Sequence, residues 1–136
     1  MANTRTQAGT ASKRPLSPHL QIYRPPINMV MSILHRITGA ALYLGSVLLA
    51  WWLVAAAIGP GEFKIANEFF GSTLGCLILF GYTWALVHHM LGGIRHFIWD
   101  TGRGLDIKTV DLLSWGTIVF SIALTLLIWF GVLVLG

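Results

Sequence analysis

The chain has 136 residues, a length that fits one domain, but its composition excludes an ordinary soluble protein. Hydrophobic residues make up 55% of it and charged residues 10%, and its mean hydropathy is +0.72, whereas soluble domains carry about 25% charged residues. The net charge of +4 comes from basic residues lying mostly outside the apolar runs, which favours membrane topology over nucleic-acid binding. We therefore expect contact with membrane lipid and no nucleic-acid partner.

The N-terminal part is polar and basic. Residues 1–14 contain Arg5, Lys13 and Arg14, and no acidic residue occurs before Glu62. Such a start is compatible with an organellar transit peptide, but its shortness and lack of an amphipathic stripe favour a disordered basic tail. Residues 14–26 hold four of the five prolines, which predicts an extended segment at the membrane surface rather than a helix.

Three long runs without a formal charge follow, and they predict an all-α membrane protein with three transmembrane helices. The first run, residues 37–59, has 23 residues, or about 35 Å of helix, which is enough to cross a bilayer. We expect the helices at about residues 30–58, 68–97 and 110–135, joined by short loops. Together they form one anchor domain over residues 15–136.

The distribution of Lys and Arg predicts the topology. The segment before the first helix and its first turns hold five basic residues, the second loop holds three, and the first loop holds only Lys64. Positive residues concentrate on the inner side of a membrane, so the N-terminus is predicted to be cytoplasmic and the C-terminus periplasmic. The start of the first helix and the end of the second then lie in the same leaflet.

The first helix carries a polar cluster in that leaflet. Ser32, His35, Arg36 and Gly39 are spaced at i, i+3, i+4 and i+7, which places them on one face. A hydroxyl, an imidazole and a guanidinium beside a glycine gap could bind a quinone carbonyl or a carboxylate. The alternative is that His35 and Arg36 are interfacial anchors that extend to lipid phosphates.

The second helix carries the other cluster, within residues 85–100. His89, Gly92, Gly93 and His96 are again spaced at i, i+3, i+4 and i+7. Histidine within hydrocarbon marks a functional site, and the glycines leave room for a flat, bulky group such as haem. The alternatives are a helix-packing motif of small residues and a core histidine bonded to a neighbouring helix.

Spacing limits the metal chemistry of this cluster. His89 and His96 are about 10.5 Å apart along the helix axis, too far to share an ion. Two axial haem ligands must approach from opposite faces, so the second comes from His35 or from another subunit. His88 points about 100° away from His89, so only one of them faces the pocket, and periodicity does not decide which.

Three motifs are recognisable: SPHL at residues 17–20, SILHRITG at residues 32–39 and HxxxGIRHxxxD at residues 89–100. Together with the three-helix layout, they resemble the cytochrome b membrane-anchor subunit of succinate dehydrogenase, respiratory complex II, and look closest to alphaproteobacterial versions. The resemblance extends from about Arg14 to the C-terminus.

The resemblance implies roles for residues in both clusters. It implies that His89 is the axial ligand of one haem b, with the other axial histidine supplied by a second membrane-anchor subunit. It places His35 and Arg36 near the haem propionates, in a pocket that Gly92 and Gly93 leave open.

The resemblance also implies a ubiquinone site at Ser32 and Arg36, with His96 and Asp100 as motif positions of supporting role. The implied function is to pass electrons from succinate oxidation to ubiquinone, together with an iron–sulfur subunit and a flavoprotein subunit. This chain alone would hold no catalytic residue. The expected location is a bacterial inner membrane, or the mitochondrial inner membrane if the source is eukaryotic.

Three alternatives remain. One is the anchor of a menaquinol-dependent fumarate reductase, and another is a structural anchor without haem. A channel or transporter component is disfavoured, because the polar residues cluster in one leaflet and leave no polar trail through the third apolar run.

Overall fold

The computed structural model describes residues 23–135, and this part of the chain is almost entirely helical. It has four helices: α1 (Ile27–Ile58), α2 (Pro60–Gly71), α3 (Thr73–Asp100) and α4 (Ile107–Leu135). The predicted basic tail and the SPHL motif lie outside the described residues. Helices α1, α3 and α4 are long and apolar enough to cross a membrane, which confirms the predicted all-α fold with three transmembrane helices.

Helix α2 differs from the prediction, which had a loop over residues 60–68. Pro60 occupies the first position of the helix, where its missing N–H costs nothing, and Gly59 before it has a φ of 150°, which favours glycine. Lys64 and Glu68, spaced at i and i+4, form an ion pair at 3.8 Å. With 12 residues, α2 is too short to cross a membrane.

A sharp break separates α2 from α3. The Ser72 side chain caps α3 by accepting a hydrogen bond from the Gly75 amide at 3.1 Å. A Cβ at Gly75 would overlap the backbone of Phe69 and Phe70, so this close approach requires a glycine. The second spanning helix therefore begins at Thr73 rather than near residue 68.

Helix α3 is central to the bundle, because it packs against both α1 and α4, whereas α1 and α4 contact each other less. Small and polar side chains fill much of the interior, and large apolar ones cover the outside. That distribution is the reverse of a soluble core, and it fits a surface solvated by lipid. Polar side chains lie both where α3 faces α1 and where α3 faces α4.

Candidate functional site

The centre of the predicted site is a stacked pair of histidines from α1 and α3. The rings of His35 and His89 lie with their centroids 3.9 Å apart and their planes 8° from parallel. His96 approaches His35 at 5.5 Å and also contacts the Trp99 ring edge-on at 5.3 Å. The structure thus brings together three of the predicted site histidines, although α1 and α3 are separated in the chain by α2.

The hydrogen bonds of His89 determine which of its ring nitrogens carries the proton. Nδ1 lies 3.1 Å from the His35 carbonyl oxygen and 3.3 Å from Thr38 Oγ1. The Thr38 hydroxyl donates its own hydrogen to the carbonyl of Leu34 or His35, at 2.9 and 3.0 Å. Both neighbours therefore act as acceptors, so Nδ1 is the protonated nitrogen and Nε2 keeps its lone pair.

Two glycines make this arrangement possible, one on each helix. A Cβ at Gly39 would lie 3.0 Å from Cε1 of His89, and a Cβ at Gly92 would lie 2.5 Å from Nδ1 of His35. Each glycine thus makes room for the histidine of the opposite helix. Gly93 is different, because within residues 23–135 nothing beyond the neighbouring backbone of its own helix lies within 4 Å of its Cβ position, so it faces open space.

The other predicted site residues lie on the outside of the bundle. Ser32 and Arg36 are exposed, on the turn of α1 that also carries the half-buried His35. His96 is exposed and contacts His35, and Asp100 is exposed at the last residue of α3. All four residues lie toward the end of the bundle where α1 begins and α3 ends.

His88 faces α4, whereas His89 faces α1. It is 1% exposed, its Nδ1 lies 3.2 Å from Ser121 Oγ on α4, and its ring lies 5.2 Å from the Trp84 ring. Its Nε2 is buried and has no hydrogen-bond partner within residues 23–135. His88 therefore belongs to the packing between α3 and α4, and only His89 faces α1.

Helix α4 carries a row of buried hydroxyls that was not predicted from the sequence. This row corrects the expectation that the third apolar run has no polar trail. The signal was available, since the residues recur at helical spacing in an otherwise apolar helix. These hydroxyls bond mostly to carbonyls of their own helix, which is typical of helix packing rather than of an open pore. The row consists of Ser114, Thr117, Ser121 and Thr125.

Residues 10–128 match the family described as "Succinate dehydrogenase/Fumarate reductase transmembrane subunit". The chain belongs to this family. The match confirms the family predicted from the motifs, and with the three apolar helices it makes the chain a multi-pass membrane subunit of an oxidoreductase complex.

Curated relatives from bacteria and mitochondria agree with this assignment. The chain is 49% identical over 121 residues to the succinate dehydrogenase cytochrome b556 subunit of Paracoccus denitrificans, covering 86% of this chain and 92% of that one. It is 41% identical to the subunit of the same name from Rickettsia bellii, covering 93% and 98%. A 101-residue match to the mitochondrial cytochrome b560 subunit of Sus scrofa is 45% identical and covers 71% and 58%.

Proposed function

We propose that the chain is the membrane-anchor subunit of a succinate:ubiquinone oxidoreductase and that His89 is an axial ligand of a haem b. The observation that carries the ligand assignment is the hydrogen bond from His89 Nδ1 to the His35 carbonyl. A histidine that ligates a metal through one ring nitrogen commonly donates its other N–H to a backbone carbonyl. His88 is the poorer candidate, since it is buried against α4.

The surroundings of His89 fit a haem. Nε2 of His89 has no partner among residues 23–135, and Nδ1 of His35 is buried without one. Gly93 opens onto space that a flat group could fill, and Arg36 and His35 supply donors for haem propionates. The haem supplies one-electron redox chemistry when bound; this chain holds and orients it.

The position of His35 favours a partner subunit as the source of the second ligand. Two imidazoles that bind one iron would have to approach it from opposite sides. His35 and His89 instead lie face to face, with their ring centroids 3.9 Å apart. His35 is therefore unsuited to ligate the same iron in this arrangement. We propose that a second membrane-anchor subunit supplies that histidine and that the haem is shared between the two.

Ser32 and Arg36 are proposed to form part of the ubiquinone site. Both are exposed on the face of α1 that carries His35, where a quinone could enter the site from the lipid. The Ser32 hydroxyl would donate to a quinone carbonyl, and the Arg36 guanidinium would stabilise negative charge as the quinone is reduced. His96 and Asp100, which are exposed toward the same end of the bundle, are proposed to support this site.

The remaining subunits complete the reaction. A flavoprotein subunit oxidises succinate, and an iron–sulfur subunit carries the electrons to the quinone at the inner membrane face, with the N-terminus of this chain cytoplasmic. The relatives named above are succinate dehydrogenase subunits, which favours this direction over fumarate reduction. Assays of the complex with ubiquinone and with menaquinol distinguish a succinate dehydrogenase from a fumarate reductase.

Arg36→Ala in the intact complex tests the quinone role. We expect succinate-dependent quinone reduction to fall by about tenfold or more, because a hydrogen bond from a charged donor is lost, while succinate oxidation by an artificial dye is retained. Arg24→Ala is the matched control, since Arg24 is also exposed but precedes α1. Equal loss of both activities in Arg36→Ala would contradict the role. A pyridine-haemochrome assay tests the haem separately.

A further inference from the structure

Arg95 is a buried cation that the proposed haem and quinone sites do not use. It lies on the side of α3 that faces α4, and its side chain is only 4% exposed. It does not extend to water or to the outer lipid, as basic side chains near helix ends usually do. A guanidinium held inside a membrane protein requires compensation for its lost solvation.

The contacts of Arg95 within the described residues are neutral. Nη1 donates to Ser114 Oγ at 3.2 Å, and Cζ lies 5.0 Å from the centre of the Trp99 ring. Nε is buried without a hydrogen-bond partner. The one ion pair found in residues 23–135 joins Lys64 and Glu68, so no carboxylate of this region balances the Arg95 charge.

An apolar groove of about 390 Å³ lies between α3 and α4, and Arg95 is part of its lining. Arg95 is its one charged lining residue, and Thr117 is its one hydroxyl. The rest of the lining is apolar or glycine and includes Leu91, Ile94 and Ile98 on α3 and Leu112, Gly116 and Phe120 on α4. A groove with a single unbalanced cation and apolar walls is complementary to a molecule that has one anionic group and a hydrocarbon chain.

We infer that this groove binds an anionic phospholipid, with its phosphate on Arg95 and an acyl chain along the apolar lining. The phosphate accepts hydrogen bonds from the guanidinium and balances its charge. This assignment does not depend on the haem or on the quinone.

The depth of Arg95 agrees with a headgroup contact. Arg95 lies five residues before Asp100, the last residue of α3, which is about 7.5 Å along the axis. The following loop and first turn of α4 add the exposed cations Arg103 and Lys108, together with Asp106 and Asp111. The two cations are balanced by these two carboxylates, and Asp100 adds a third carboxylate. The neighbouring charges therefore give no preference for an anion, and Arg95 provides it.

Native mass spectrometry of the intact complex, with phosphatidylglycerol titrated in mild detergent, tests the inference. We expect the wild type to bind one more phosphatidylglycerol per anchor than Arg95→Gln does, with at least about tenfold weaker binding at this site in the variant. Arg95→Lys, which keeps the charge, should lose less. Arg103→Gln, which removes an exposed cation outside the groove, should bind like the wild type.

A second pair of variants tests lipid binding in the groove with Arg95 intact. This pair provides the test if Arg95→Gln does not assemble into the complex. Gly116→Leu fills the groove, since a Cβ there meets only Phe120 at 4.0 Å, and should also lose the lipid. Gly131→Leu, on the same helix but outside the groove, should keep it.

Three results would overturn the assignment. The first is equal phosphatidylglycerol binding by the wild type, Arg95→Gln and Gly116→Leu. The second is phosphatidylcholine binding as tightly as phosphatidylglycerol, because the site then has no preference for net negative charge. The third is release of another protein subunit by Arg95→Gln with lipid binding unchanged, which would identify a protein carboxylate as the counter-ion.

Discussion

His35 contacts His89 in two ways at once, although 54 residues separate them in the chain. The His35 ring stacks on the His89 ring at 3.9 Å, and the His35 carbonyl accepts the hydrogen of His89 Nδ1 at 3.1 Å. One residue of α1 therefore sets both the plane of the His89 ring and its tautomer. The helix that carries the proposed quinone residues thus also orients the proposed haem ligand.

The adjacent His88 and His89 face different helices, which allows the haem ligand to be tested. We expect His89→Ala in the intact complex to weaken haem binding by at least about tenfold, because loss of a ligand should exceed the effect of losing a hydrogen-bonded neighbour. The measurement is haem content by the pyridine-haemochrome assay, together with the reduced-minus-oxidised absorption spectrum.

His88→Ala is the matched control for this test. His88 packs against Ser121 and Trp84 rather than facing α1, so its loss should lower stability but leave the spectrum of the retained haem unchanged. A spectral change in His88→Ala, with His89→Ala normal, would reverse the ligand assignment.

The glycines at the helix contact should differ in their tolerance of a methyl group. Gly92→Ala places Cβ 2.5 Å from Nδ1 of His35, so we expect the stack to shift and the stability to fall by about 1–3 kcal/mol. Gly39→Ala, with a 3.0 Å contact to His89, should have a smaller effect of the same sign. Thermal unfolding of the purified complex, with its haem spectrum, measures both.

Gly81→Ala, on the same helix as Gly92, is the control, because among the described residues nothing beyond the neighbouring helix backbone lies within 4 Å of the Gly81 Cβ position. There the alanine should be neutral or stabilising by about 0.5–1 kcal/mol, the usual gain over glycine within a helix. If Gly92→Ala and Gly81→Ala behave alike, the close contact with His35 is not important for stability.

The parts of the structure that depend on local periodicity could be predicted from the sequence. Uncharged runs long enough to span a bilayer identified the three long helices, and i, i+3, i+4, i+7 spacing grouped His35 with Arg36 and His89 with His96. Both inferences need only a helix and its 3.6-residue repeat. The resemblance to the family then related the two groups to one function.

The parts that depend on contacts between helices could not be predicted. Periodicity separates His88 from His89 by 100° but does not say which of them faces α1. It also does not show that the Arg95 side chain turns inward to Ser114, since a basic residue near a helix end more often points outward. Helix α2 differs for another reason, because charged residues between two apolar runs usually indicate a loop.

Asp106 should make the start of α4 sensitive to acid. Hydrogen bonds from the Thr109 side chain and from its backbone N–H, the latter at 2.9 Å, lower the pKa of Asp106 below its ordinary value of 3.8. A lowered pKa in the folded state means that the stabilisation is fully present above pH 3.8 and is lost as the pH falls through the lower, folded-state value.

The pH dependence of thermal unfolding of the complex checks this prediction. Asp106→Asn keeps a capping side chain without the titrating group, so its unfolding temperature should depend less on pH in the acid range than that of the wild type. Equal slopes for Asp106→Asn and the wild type would argue against the cap.

Ser114 joins three helices and should be the most sensitive of the buried hydroxyls. Its oxygen accepts a hydrogen bond from Arg95 Nη1 on α3 at 3.2 Å, and its hydrogen can go to Asn28 Oδ1 near the start of α1 at 3.0 Å or to the Val110 carbonyl at 2.8 Å. Ser114→Ala leaves the buried guanidinium with one acceptor fewer, so we expect a loss of about 1–3 kcal/mol in the stability of the complex.

Ser46→Ala separates this effect from the general effect of removing a serine hydroxyl in a transmembrane helix. Ser46 is exposed, and its hydroxyl donates only to the Tyr43 carbonyl of its own helix at 2.7 Å, so its loss should change the unfolding temperature little. Ser114→Ala should lower the unfolding temperature clearly. Ser114→Thr, which keeps a hydroxyl, should lower it less. If the two alanine variants unfold at the same temperature, the Arg95–Ser114 contact does not stabilise the packing of α3 on α4, and the buried charge must be held by another group.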